Sequence, residues 1–117
     1  MRIDVMKRAV VSALEDIKGQ DIKTLDVRKM TALFDFMILC SADSTRQTKA
    51  LASHAQNKLR EKGAVVYGVE GEQTGEWILV DLGRILVHIM QPAIRAHFGL
   101  EHLWGNAKEV KRRDTRV

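Results

Sequence analysis

The spacing of apolar residues divides the chain into short amphipathic segments. Ile3, Met6, Val10, Leu14 and Ile17 recur at steps of three and four. That places them on one stripe of a helix predicted over residues 2–18. Gly19 stands where a left-handed helix cap is expected. Residues 22–27 alternate imperfectly through Ile22, Leu25 and Val27 and read as a strand. Residues 34–41 are a nearly continuous apolar run, the pattern of a central strand covered on both faces. Ser44 and Gln47 make the signature of a capping box. The helix they open reaches about Lys62, with Leu51, Ala55 and Leu59 on one face and Gly63 at its end. Residues 64–69 read as a strand and 70–75 as a loop holding Gly71 and Gly75. Two more strands, 76–82 and 84–91, meet at Leu82-Gly83. Pro92 starts a short helix ending near Gly99, and a last turn carries Leu100, Leu103 and Trp104.

The order is αββαβββα. It predicts an α/β fold with a single mixed sheet of about five strands and two main helices on one face. No repeat or linker interrupts it, and Pro92 is the one proline. Residues 1–107 are expected to form a single domain.

The hairpin carries the most information. A two-residue loop at Leu82-Gly83 sets Trp77 opposite His88 and Asp81 opposite Arg84. Alternation then puts Ile78, Val80, Ile85, Val87 and Ile89 on one face, all β-branched and suited to a core. The other face holds Trp77, Leu79, Asp81, Arg84, Leu86, His88 and Met90. A solvated face should be polar, and this one is apolar with charges only at the hairpin end. Either the C-terminal turns with Phe98, Leu103 and Trp104 fold over it, or it waits for a partner.

Charge changes this picture only at the end of the chain. Residues 108–117 hold five basic and two acidic side chains, so they supply +3 of the net +4 and leave the body nearly neutral. They are expected to be a basic, disordered tail, with contact to a nucleic-acid phosphate backbone as the functional alternative. One cysteine, Cys40, excludes an intrachain disulfide and fits a reducing compartment. With no membrane-length apolar run and no leader-like N-terminus, the expected location is the cytoplasm.

The residues for catalysis are missing. His54, His88, His97 and His102 lack the spacing of metal ligands. Ser41 and Ser44 follow a strand without a nucleophile-elbow motif. Gly68, Gly71 and Gly75 open no helix that could cradle phosphate. No Asp-x-Asp pair occurs to hold catalytic Mg²⁺. The expectation is a binding module with no enzyme activity, cofactor or metal.

Several stretches carry a resemblance. They are Gly19-Gln-Asp-Ile-Lys-Thr-Leu-Asp-Val27, Phe34-Asp-Phe-Met-Ile-Leu-Cys-Ser-Ala-Asp-Ser-Thr-Arg-Gln47, Gly68-Val-Glu-Gly71, Glu76-Trp-Ile-Leu-Val-Asp-Leu-Gly83, Val87-His-Ile-Met90 and Leu100-Glu-His-Leu-Trp104. In this order they resemble the ribosomal silencing factor (Iojap-like) family over residues 5–105. The resemblance implies a nucleotidyltransferase-like sheet that has lost its catalytic carboxylates. It implies binding to universal large-subunit ribosomal protein fourteen and a steric block to subunit joining; on a ribosome, the phosphate backbone within reach of the basic tail, residues 108–117, would be ribosomal RNA. Translation would then fall in starvation or stationary phase, and a link to large-subunit biogenesis is implied as well. Trp77, Asp81, His88 and Met90 carry over as partner contacts, and the face argument adds Leu79 and Leu86. Two rivals remain: an active enzyme on the nucleotidyltransferase fold, and a homodimer paired through the apolar sheet face.

Overall fold

The computed structural model describes residues 1–105 and 107–110. Helix α1 spans Ile3–Asp16, strand β1 Gln20–Asp26, β2 Phe36–Ser41, and helix α2 Thr45–Glu61. Strands β3 (Gly68–Glu70), β4 (Trp77–Asp81) and β5 (Ile85–Met90) follow. Helices α3 (Pro92–Phe98) and α4 (Leu100–Leu103) and strand β6 (Lys108–Val110) complete the order. All strands belong to one sheet in the order β3-β4-β5-β2-β1-β6. Only β2 and β5 run parallel, and the other neighbours are antiparallel. This is the mixed single sheet that the apolar pattern predicts, with one strand added.

The central strand behaves as its apolar run requires. All six residues of β2 are buried, because β1 and β5 flank it and helices cover both its faces. On the first face Val10 and Leu14 of α1 and Leu51, Ala52 and Leu59 of α2 pack on Ile78, Val80, Ile85, Val87 and Ile89. Each of these side chains is almost completely removed from water, which stabilises the sheet by roughly 1.5–3 kcal/mol per large aliphatic residue.

The connection from α1 to β1 differs from expectation in detail. Lys18, not Gly19, adopts the left-handed conformation, with φ 59°. Glycine is needed at 19 for a different reason: a Cβ there would lie 2.4 Å from Cys40 Sγ. At the start of α2, Ser44 Oγ accepts from the Gln47 backbone N–H at 3.1 Å, so the cap forms. The Gln47 side chain does not close the box. It donates to the Ile17 carbonyl at 3.1 Å instead, tying the start of α2 to the end of α1.

Strand β6 corrects the expected domain boundary. Lys108–Val110 pair antiparallel with Asp26–Thr24 of β1, so three residues of the expected tail join the sheet. A three-residue edge strand has no alternation long enough to read, and the open edge of β1 supplies its hydrogen bonds. The rest of the tail, 111–117, lies outside the described residues.

The hairpin register is also corrected. Trp77 pairs with Met90, Leu79 with His88 and Asp81 with Leu86, two residues away from the expected pairing. Gly83, with φ 84°, and Arg84 form the loop, closed by the Leu82 N–H donating to the Ile85 carbonyl at 3.0 Å. Positive φ suits glycine as the first loop residue, so the turn centres one position later than Leu82-Gly83. A shift of two residues returns every side chain to the same face, which is why the face assignment survives the register error.

Candidate docking face

The second face of the sheet is divided into a covered half and an open half. Met90 of β5, Met37 and Leu39 of β2 and Leu25 of β1 form a second buried cluster. Ile94 of α3, Leu100 of α4 and Trp104 cover it, and Phe34 packs edge-on against Trp104 with ring centroids 5.7 Å apart. The C-terminal turns therefore do fold over this face, but only over its β5-β2-β1 side.

A polar clamp holds that cover in place. Arg95 of α3 is buried and donates to Glu101 Oε1, the Asp21 carbonyl and Ser41 Oγ, each at 2.8 Å. Lys23 on β1 reaches Glu101 from the other side at 2.9 Å. Hydrogen bonds from Arg95 and then from Lys23 bring the Glu101 carboxyl down to about 2. Burial is what makes the buried Arg95 guanidinium depend on these partners.

The open half is the outer side of β4 and β5. Trp77, Leu79, Asp81 and Leu86 are half-buried there, and Arg84 is exposed. Phe98 leans over the Trp77 ring, with centroids 4.9 Å apart, while staying half exposed itself. Leu103 is 71% exposed and takes no part in the cover. Asp81 Oδ1 accepts from the Gly83 N–H at 2.8 Å and so helps shape the turn. Arg84 pairs with Asp35 rather than with Asp81.

His88 and Met90 sit deeper than the expected contact surface. Met90 is fully buried beneath α3 and α4, so it forms the floor of the face and offers no surface of its own. His88 is 7% exposed and lines a cleft of about 300 Å³ with Glu70, Gly71, Trp77 and Leu79. Trp77 Nε1–H donates to His88 Nδ1 at 3.0 Å. Burial lowers the His88 imidazole to about 4, so the ring is neutral near pH 7.

Sequence reasoning names Trp77, Leu79, Asp81, Leu86 and His88, and the structure brings them onto one surface. It misses Glu70 and Gly71, because they reach the cleft through the pairing of β3 with β4. Gly71 is left-handed at φ 86°, and a Cβ there would lie 1.9 Å from the Trp77 carbonyl oxygen. The run Gly68-Val-Glu-Gly71 is the signal that could mark this close approach.

Among the described residues no three His, Cys, Asp or Glu side chains converge as a metal site requires. Burial pushes the Cys40 thiol up to about 12, which leaves it a packing residue beside Gly19 rather than a nucleophile. No helix among the described residues is long and apolar enough to cross a membrane.

A family model described as "Ribosomal silencing factor during starvation" matches residues 2–117. The chain belongs to this family. The ribosomal silencing factor RsfS of Chromobacterium violaceum is 49% identical over 108 residues, covering 92% of this chain and 88% of that protein. A crystal structure of a Chromobacterium violaceum protein has 50% identity and a TM-score of 0.88, covering 90% of this chain and 88% of the other. A more distant relative is the mouse protein named for mitochondrial assembly of the ribosomal large subunit. It is 28% identical, covering 81% of this chain and 43% of that longer protein. Membership accounts for the motif order noted in the sequence, and the match extends the shared region into the basic segment after residue 107.

Proposed function

We propose that this ribosomal silencing factor acts without turnover, by docking on the large ribosomal subunit. The partner in this reading is universal large-subunit ribosomal protein fourteen, and the contact is the outer face of the β4–β5 hairpin. Trp77, Leu79, Asp81, Leu86 and His88 make the surface, with Met90 as its floor. The observation that carries the proposal is the open apolar strip of Trp77, Leu79 and Leu86 on a sheet face whose other half is covered. Apolar anchors ringed by polar groups are the usual composition of a binding hot spot.

The mechanism is exclusion. The molecule measures 33 × 31 × 25 Å. A body of that size seated on the intersubunit side of the large subunit would occupy space needed by the small subunit. Fewer joined ribosomes would lower translation, which suits starvation or stationary phase. The printed name of the mouse relative supports a large-subunit role and, with it, a part in large-subunit biogenesis. No reactive group is required at any step, and the cytoplasm is where such a factor would work.

Sedimentation tests the reading. The chain is expected to travel with free large subunits and to be lost from joined ribosomes. Equal binding to both would end the exclusion mechanism. Saturable, Mg²⁺-dependent nucleotide binding would favour the enzyme alternative instead.

A further inference from the structure

A groove of about 480 Å³ lies where β1 meets β6, lined by Asp26, Arg28, Lys29, Met30, Ala107 and Lys108. Asp26 stands opposite Phe36 on one side and Lys108 on the other. Phe36 belongs to the core beneath α1 and α2, and residues opposite one another on neighbouring strands share a face. Asp26 and Lys108 therefore lie on the α1–α2 side of the sheet, at the edge farthest from β3 and β4.

Three cations meet one carboxylate in this groove, and that carboxylate is already occupied. Asp26 accepts from Arg28 Nε at 2.9 Å and from Arg28 Nη2 at 2.6 Å. The Phe36 ring lies 5.0 Å from Arg28 Cζ. Carboxylate and ring together orient the guanidinium, yet the Arg28 side chain stays 56% exposed. Its Nη1 has no hydrogen-bond partner among the described residues, so two N–H groups remain to donate. Lys7 lies over the same ring, 4.6 Å from its centroid. Hydrogen bonds from Arg28, and after them the Lys7 charge, hold the Asp26 carboxyl below the usual range. The neighbouring acids do not cancel the rest. Asp35 is paired with Arg84, and Glu109 stands opposite Leu25, on the other face of β6.

The sequence narrows what could sit there. After Val110 the chain continues with Lys111, Arg112, Arg113 and Arg116 against Asp114. That run carries the charge of the groove and so cannot neutralise it. A free nucleotide would want a ring for its base, but no aromatic residue lines the groove and Phe36 is buried. An extended polyanion suits both the groove and the run that follows it.

We propose that this groove and the basic run after it form a second contact surface, which holds the phosphate backbone of RNA. Arg28 Nη1 and the ammonium groups of Lys29 and Lys108 donate to phosphate oxygens, so the contact carries no base preference. On a large subunit it would add a salt-sensitive hold on ribosomal RNA, on the other face of the sheet from the hairpin strip.

The test uses the full chain and a short RNA duplex of arbitrary sequence, with inorganic pyrophosphate and polyglutamate as rival probes. The wild-type chain is expected to bind the duplex whatever its sequence, with affinity falling steeply as salt rises. Lys29 and Lys108 are exposed, so both can be replaced without disturbing the core. Lys29→Gln combined with Lys108→Gln should bind about tenfold more weakly and lower the slope of log affinity against log salt by about two. Arg46→Gln combined with Lys49→Gln removes the same charge from the exposed side of α2 and should leave the slope unchanged. An unchanged slope in the groove variant would overturn the proposal by leaving the basic run alone as the binder. An equal fall in the α2 variant would overturn it by pointing to net charge. So would a wild-type chain that does not bind the duplex, or one that prefers pyrophosphate or polyglutamate to it. The hairpin reading is tested on large subunits and this one on isolated RNA, so each can fail without the other.

Discussion

His88 shows how far a single residue can be read. Alternation assigns it to the second face, and the structure agrees. Its partner does not follow from alternation. Leu79, not Trp77, lies directly opposite it, and the Trp77 indole reaches it diagonally. Nor could sequence show its burial, which goes with the Trp77 ring lying against it. Burial has a consequence for stability. The folded ring binds its proton at about pH 4, below the ordinary 6.5. As pH falls through 6.5 the unfolded chain takes up the proton and the folded chain does not, so stability falls with pH. The loss continues down to about 4, where both states are charged. From about pH 7 to about pH 5 the expected loss is about 2 kcal/mol. Urea unfolding at the two values measures it, and His88→Leu should show little of this drop. Glu101 weakens the fold in a separate, more acidic window, as pH falls from 4.5 towards about 2.

Elements were legible where their own residues decide them. Ser44 caps α2, Pro92 opens α3, and Gly99, with φ 55°, ends it, and each acts on its immediate neighbours. The position of α3 and α4 over the sheet is another matter. Arg95 meets Ser41 across 54 residues and Lys23 meets Glu101 across 78. No local pattern announces such pairs. Their importance can be measured. Arg95→Ala leaves Ser41 and the Asp21 carbonyl without their donor and frees Glu101 from its closest cation. The expected cost is about 1–3 kcal/mol, below that of a fully buried pair because Glu101 keeps some contact with water. Hydrogen exchange should rise in α3 and α4 while α1 and α2 keep their protection. Equal protection throughout would mean that apolar packing by Trp104 and Leu100 suffices to hold the cover.

The whole molecule is a sheet with one face fully roofed and the other roofed by half. The proposed docking depends on that asymmetry. Leu86 lies on the open half, paired with Asp81 and flanked by Met37. Leu86→Asp is therefore expected to weaken binding to large subunits by about 1–4 kcal/mol while the thermal midpoint moves little, since the side chain is only half-buried. Unchanged binding in a folded variant would move the contact elsewhere. Sequence alone determined that the hairpin has two apolar faces, because side chains on a strand alternate with a period of two and even a two-residue register error preserves the face. It also determined that α1 and α2 belong on the β-branched face, since both carry one apolar stripe. Only the tertiary structure decided how much of the second face stays open. That depends on contacts between residues far apart in the chain, namely the Arg95 clamp, the Phe34–Trp104 pair and the capture of β6 by the edge of β1. Such contacts leave no periodic trace in the sequence.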